Sequence, residues 1–171
     1  ISNRTDYDLK AHAKKSGKDL SYFDDQQKRR FVPFVVEPAL GADRSVLAFL
    51  ADAYDEEDGG TKQNRVVLRF HPDIAPVQVS VLPLSRNEKL VPTARNIHDI
   101  LLQSFNAQYD DSQSIGRRYR RQDEIGTPLC VTVDFETVEE DQSATIRNRD
   151  SMEQIRVPIV NLESAIRDQL E

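Results

Sequence analysis

The sequence predicts an α/β protein, and three patterns carry that reading. Val77, Val79 and Val81 alternate with polar neighbours in the manner of a strand. Residues 87–105 follow with Ala94, Ile97, Leu101 and Phe105 at helical spacing. A short strand over Asn106–Asp110, an arginine-rich helical stretch and a β-branched run from Leu129 to Phe135 complete the alternation. Strand, helix, strand, helix, strand calls for crossover connections and a parallel core.

A chain of 171 residues holds one medium domain, or one domain and a fragment. Its 38% hydrophobic and 30% charged residues suit a soluble globular protein. No run approaches the roughly 18 apolar residues of a membrane helix, and Ile1-Ser2-Asn3-Arg4 is no signal peptide. The one cysteine, Cys130, falls inside the third predicted strand. That excludes an intrachain disulfide and a cysteine-rich metal site, points to a reducing cytoplasm, and reads as a small buried apolar side chain. Net charge is -6, so bulk charge does not attract nucleic acid. Residues 1–71 carry 12 Lys+Arg against 12 Asp+Glu, and residues 72–171 carry 11 against 17. A polyanion site in the second part must therefore be local.

Taken in order, the chain opens with the polar Asn3-Arg4-Thr5-Asp6-Tyr7-Asp8-Leu9 and a lysine-rich stretch, which reads as the interior of something larger. Gln26–Arg30 is a polar turn. Phe31–Val36 is a short β run that Pro33 confines to an edge or a beginning. Ser45–Tyr54 is a helix apolar on nearly every face, expected to be buried in a larger body. Asp55–Gly60 reads as an acidic, solvated, glycine-ended loop without calcium-loop spacing, and Arg65–Phe70 as a short β-like connector. Pro72 and Pro76 fix an extended path, which places a domain boundary near residue 72. At the far end, Ser143–Arg147 and Glu153–Val157 flank the turn Asn148-Arg149-Asp150 and predict an antiparallel edge hairpin. Asn161–Leu170 predicts a closing helix capped by Asn161.

Two stretches carry chemistry. Arg117, Arg118, Arg120 and Arg121 set four guanidiniums within five residues, beside Tyr119 and before Gly126-Thr127-Pro128. They repel one another and surrender rotamer entropy, so an anion or an acidic face should answer some of them. Phosphate and base edges are what arginine is shaped to grip. The structural alternative is a solvated helix with Asp123 and Glu124 as intrahelical partners. In a parallel core, ligands collect at the carboxyl ends of the strands, where Asp110, Asp111, Ser112 and Ser114 lie. The other stretch is Glu37-Pro38-Ala39-Leu40-Gly41-Ala42-Asp43-Arg44. A carboxylate at a strand end, a glycine permitting close backbone approach and an arginine in the first helical turn suit a cationic group with a polyphosphate or purine. The alternative is that Arg44 pairs with Glu37 or Asp43.

These eight residues and their helix resemble motif 3 of class II aminoacyl-tRNA synthetases. With Asn3–Leu9 before them and Gly116–Pro128 after, nearly the whole chain is similar to the C-terminal part of the bacterial-type dimeric glycyl-tRNA synthetases. The resemblance implies a fragment of the antiparallel class II catalytic fold over residues 1–60, a connector over 61–71, and a class IIa anticodon-binding domain over 72–171. That domain is a five-stranded mixed sheet with three helices. The resemblance also implies ATP-dependent activation of glycine, transfer to tRNA-Gly, Mg2+ with the ATP, and a cytoplasmic homodimer. Arg44 would lie against the ATP adenine and assist the phosphates, and Glu37 would meet the glycine α-ammonium. Gly41 would keep the pocket floor open, while Arg4 and Asp6 would border it. Ala39 stands where many members have serine, so one hydroxyl contact is missing from the pattern. Arg117, Arg118, Tyr119, Arg121, Asp123 and Asp111 would lie near the anticodon, Tyr119 either stacking on an unpaired base or packing.

Motifs 1 and 2 are not among the 171 residues, so the isolated chain is expected to hold no ATP in catalytic geometry. Glycine-dependent pyrophosphate exchange by these residues alone would overturn that. A competing reading is a noncatalytic synthetase-derived accessory protein that binds nucleic acid, which the presence of Glu37 and Arg44 disfavours. An enzyme built on the α/β sheet alone finds no GxGxxG, phosphate loop or nucleophile elbow, and His12, His71 and His98 are scattered.

Overall fold

A computed structural model describes residues 1–58 and 64–171, and its chain divides into two compact units, Ile1–Leu47 and Ala48–Glu171. The first unit holds β1 (Ser2–Asn3), α1 (Tyr7–Ser16), β2 (Tyr22–Asp24), β3 (Arg29–Phe31) and β4 (Val36–Glu37). β1 pairs antiparallel with β4, and β2 with β3. Strands of two or three residues cannot cover a core, and none of residues 1–47 is buried. The single β run expected over Phe31–Val36 is interrupted: β3 ends at Phe31 and β4 begins at Val36. Pro33 between them has no N–H to give a ladder.

Helix α2 (Ala42–Ala53) is expected to be buried, yet Val46, Leu47, Phe49 and Leu50 are exposed and only Ala53 is buried. After it, β5 (Tyr54–Glu57) and β6 (Arg65–Leu68) form an antiparallel pair. This corrects the acidic-loop reading of Asp55–Gly60. Asp55, Glu56 and Glu57 are strand residues, and the carboxylates of Asp55 and Glu57 receive Arg69 and Arg65 instead of water alone. Gly59 and Gly60 lie outside the described residues.

The remaining elements are β7 (Val79–Pro83), α3 (Leu90–Leu101), β8 (Ala107–Tyr109), α4 (Ile115–Ile125), β9 (Leu129–Val133), β10 (Ser143–Asn148), β11 (Gln154–Pro158) and α5 (Leu162–Leu170). One five-stranded sheet runs in the order β11-β10-β9-β7-β8. β7 is parallel to β8 and β9, whereas β9, β10 and β11 follow one another antiparallel. The expected mixed sheet of five strands with three helices, its parallel core and its edge hairpin are all present. Asn161, however, makes no side-chain cap. Its carbonyl instead accepts a 3.0 Å hydrogen bond from Ser164 Oγ, and a short 3-10 turn over Ile159–Asn161 leads into the helix.

The two faces of this sheet differ in chemistry. On one, Val79, Val81, Leu129, Val131, Val133, Ala144 and Ile146 pack with Ala94, Ile97 and Leu101 of α3 and Leu162 and Ile166 of α5. Each valine, leucine and isoleucine among them contributes about 1.5–3 kcal/mol on burial, so this layer sustains the fold. The register places Gln108, Ser80, Cys130, Arg147 and Gln154 in one row of the other face, and Leu82, Thr132, Thr145 and Arg156 in the next. Burial in this layer pushes the Cys130 thiol up to about 12. Among the described residues no helix is long and apolar enough to cross a membrane.

Candidate nucleic-acid interface

Helix α4 covers the polar face, and its period splits the arginine cluster. Arg118, Tyr119, Gln122 and Asp123 recur at helical spacing and turn inward: Arg118, Gln122 and Asp123 are buried and Tyr119 is half-buried. Gly116, Arg117, Arg120 and Glu124 are exposed. Helical geometry sends neighbours in sequence to different sides, so the four cations of the cluster are not displayed together.

Arg118 is 1% exposed and donates to the main-chain carbonyls of Pro83, Leu84 (3.2 Å) and Asp110 (3.2 Å). Arg121 is half-buried and pairs with Asp110. Asp123 is buried and serves residues from outside its own helix. It receives two hydrogen bonds from Arg147 at 3.0 and 3.2 Å and one from Arg65 Nε at 2.8 Å. Asp111 accepts Arg86 Nε at 3.1 Å, and its other oxygen accepts the Tyr109 hydroxyl. The Tyr119 hydroxyl lies 2.5 Å from Thr132 Oγ1 and the Arg147 guanidinium sits 4.8 Å from its ring centre. Burial raises the phenol above its ordinary range, with the Thr132 bond opposing it.

Beside α4 the sheet leaves a groove of about 270 Å³ lined by Leu84, Ile115, Tyr119, Thr132, Asp134, Thr145 and Gln154. Ile115 and Tyr119 come from α4, Leu84 from just past the end of β7, and Thr132, Thr145 and Gln154 from the strands β9, β10 and β11. No sequence pattern singles out Arg86, Thr145 or Gln154. Arg86 stands at the carboxyl end of β7, where the topology rule applies, and could have been found by that rule. Thr145 and Gln154 join the groove only through strand register, which no local pattern discloses.

In the first unit the structure brings Arg4 to Glu37, with Nε 3.4 Å from the carboxylate. Arg4 also makes a two-pronged contact to Asp8 at 2.9 and 3.1 Å, and this hydrogen bonding holds the Asp8 carboxyl below its usual range. Arg4 N–H donates to Val35 O, which fixes the opening segment against the strand bearing Glu37. Asp6 pairs with Lys10 at 2.6 Å. Ala39 and Gly41 are exposed, and a Cβ at Gly41 would meet nothing within 4 Å. Arg44 is exposed in the first turn of α2 and pairs with neither Glu37 nor Asp43 among the described residues. No group of three or more His, Cys, Asp or Glu side chains among the described residues is placed to hold a metal ion.

Comparison with known proteins bears on both regions. The family model described as "Anticodon binding domain" matches residues 78–169. The chain is 52% identical to the glycine–tRNA ligase of Thermobifida fusca, over 99% of its own length and 37% of that protein's. It is also 52% identical to the glycine–tRNA ligase of Clostridium acetobutylicum, over 100% of the chain and 36% of that protein. The chain thus spans about a third of the length of these relatives. Among solved structures, a prolyl-tRNA synthetase from Cryptosporidium parvum, complexed with halofuginone and AMPPNP, matches at a TM-score of 0.55 and 28% identity. That match covers 61% of the chain and 22% of the other.

Proposed function

The chain belongs to the anticodon-binding-domain family, and on that footing we propose that it serves as the C-terminal part of a glycine–tRNA ligase. Such an enzyme activates glycine with ATP and transfers the glycyl group to tRNA-Gly in the cytoplasm. The observation that carries this reading is the 52% identity along the whole chain to ligases of that specificity. Residues 72–171 bind the anticodon, the catalytic part falls in residues 1–60, and residues 61–71 connect them.

On the RNA side, Arg117 meets the phosphate backbone from the exposed face of α4, and an unpaired base enters the groove against Tyr119. The pinned hydroxyl and the cation over the ring hold Tyr119 in one orientation, which suits a fixed wall better than an adaptable stacking platform. On the catalytic side, Glu37 receives the glycine ammonium and Arg44 the adenine of ATP. Glu37 has half of its side chain accessible and Gly41 leaves open space around the backbone, so the residues present fit both groups. ATP supplies the leaving group when bound, and this chain's share is to orient the amino acid and the nucleotide. The enzyme works as a homodimer.

Binding of tRNA-Gly should weaken linearly in log affinity against log salt, in proportion to the phosphates contacted. Arg117→Ala should cost more than about 1 kcal/mol and lower that slope by about one. Filter binding or fluorescence anisotropy reads both quantities, and unchanged affinity in the variant would remove the RNA half of the proposal.

A further inference from the structure

Arg118 stands apart from the other arginines of the cluster. A guanidinium at 1% exposure is costly unless its donors are met. Here they are met by three main-chain carbonyls, those of Pro83, Leu84 and Asp110, with no carboxylate in ion-pair contact among the described residues and with Nε left unpartnered. Burial accordingly lowers its pKa from the ordinary arginine value. An apolar side chain would fill the same space more cheaply. What it could not do is join those carbonyls, which belong to the carboxyl ends of two neighbouring strands, β7 and β8.

Of the residues at these ends Leu84 is exposed, whereas Pro83 and Asp110 are buried and hold the segments that follow them. Leu84, held also through its N–H to Val133 O at 2.8 Å, forms a wall of the groove. Asp110 receives Arg121, and the next residue, Asp111, receives Arg86 through both its main chain and its carboxylate. One buried fork therefore sets the spacing between the groove wall and two cations. We propose that Arg118 is a positioning residue for anticodon recognition, one that touches no RNA and fixes the loops after β7 and β8 in the arrangement the RNA meets. This rests on the RNA-binding reading above.

The test compares Arg118→Met, Arg118→Lys and Arg117→Ala in the whole chain. Each is titrated with a tRNA-Gly transcript and with a transcript of altered anticodon over a range of salt. Arg118→Met should lose about tenfold or more in affinity and lose discrimination between the transcripts, with a salt slope equal to that of the unsubstituted chain. Arg117→Ala should instead lower the slope by about one. Arg118→Lys should recover part of the affinity, since an ammonium donates to carbonyls but cannot span them as a planar fork does.

Folded Arg118→Met binding as tightly and selectively as the unsubstituted chain overturns the proposal. So does a slope lowered as in Arg117→Ala, which would mean that Arg118 meets a phosphate. If Arg118→Met does not fold, Arg118→Lys decides: intermediate affinity at unaltered slope supports the proposal, and a lowered slope or undiminished affinity overturns it. An unsubstituted chain that binds neither transcript defeats the RNA-binding reading, one that binds both alike defeats anticodon recognition, and the proposal falls with either.

Discussion

Gly126 ends α4 at φ 83°, a left-handed conformation that costs an L side chain roughly 1–2 kcal/mol. A Cβ there would also lie 2.5 Å from Phe70 Cδ2 and 2.8 Å from Leu68 O. Because one of those atoms is backbone, the chain cannot yield cheaply, and Gly126→Ala should lose about 2–4 kcal/mol in urea unfolding. A second residue-scale expectation concerns Asp141. Hydrogen bonds from Arg156 push its carboxyl down to about 2, below the ordinary 3.8. A carboxylate depressed in the folded state adds stability that is fully present above the unfolded value and is lost as pH falls through the folded one. The unfolding midpoint should therefore decline between about pH 4 and about pH 2, and Asp141→Asn should make that decline shallower. Arg118, Asp123 and Tyr119 show where the sequence misleads at this scale. A run of charge reads as surface, yet a helix turns every third or fourth residue to the same side whatever its polarity. Applying the helical period to polar residues as well as apolar ones would have separated Arg118 from Arg117.

Ion pairs tie the β5–β6 pair to α4 and to the β10–β11 turn, beside the buried Val67. Arg65 joins Glu57 at 2.9 Å to the buried Asp123 at 2.8 Å, and its Nη2 donates to Arg149 O at 2.5 Å. Arg149, itself buried, donates to Leu68 O, Gly126 O and Phe70 O. Removing one member of such a set strands the rest without partners, so Asp123→Ala should cost about 3–5 kcal/mol by chemical denaturation. Elements with apolar rhythm were legible: Val79 and Val81 alternate, Ala94, Ile97 and Leu101 repeat at helical spacing, and Asn148-Arg149-Asp150 marks the hairpin turn. The strand at Asp55–Glu57 was not, because its carboxylates are matched by arginines arriving from other segments. In the candidate site, the cluster and its helix were legible from residues 117–121. The groove was not, since it needs β9, β10 and β11 in register.

Across the whole molecule, burial is unevenly shared. None of residues 1–47 is buried, whereas Val79, Val81, Leu129 and Val131 are fully enclosed. Amide exchange should follow that division, with protection in β7 and β9 exceeding that in β1–β4 by orders of magnitude. Equal protection in both sets would contradict it. The net charge of -6 likewise hides a division, because many cations are spent inside: Arg118, Arg147 and Arg149 serve buried partners. A charge count therefore overstates what remains for a polyanion. Cys130 lies within this interior, its thiol pushed up to about 12. An alkylating reagent in neutral buffer can reach it only through an excursion that parts α4 from the strands beneath. The rate of its modification would then time that excursion, so the native sequence supplies a single-site clock for the opening of its own sheet.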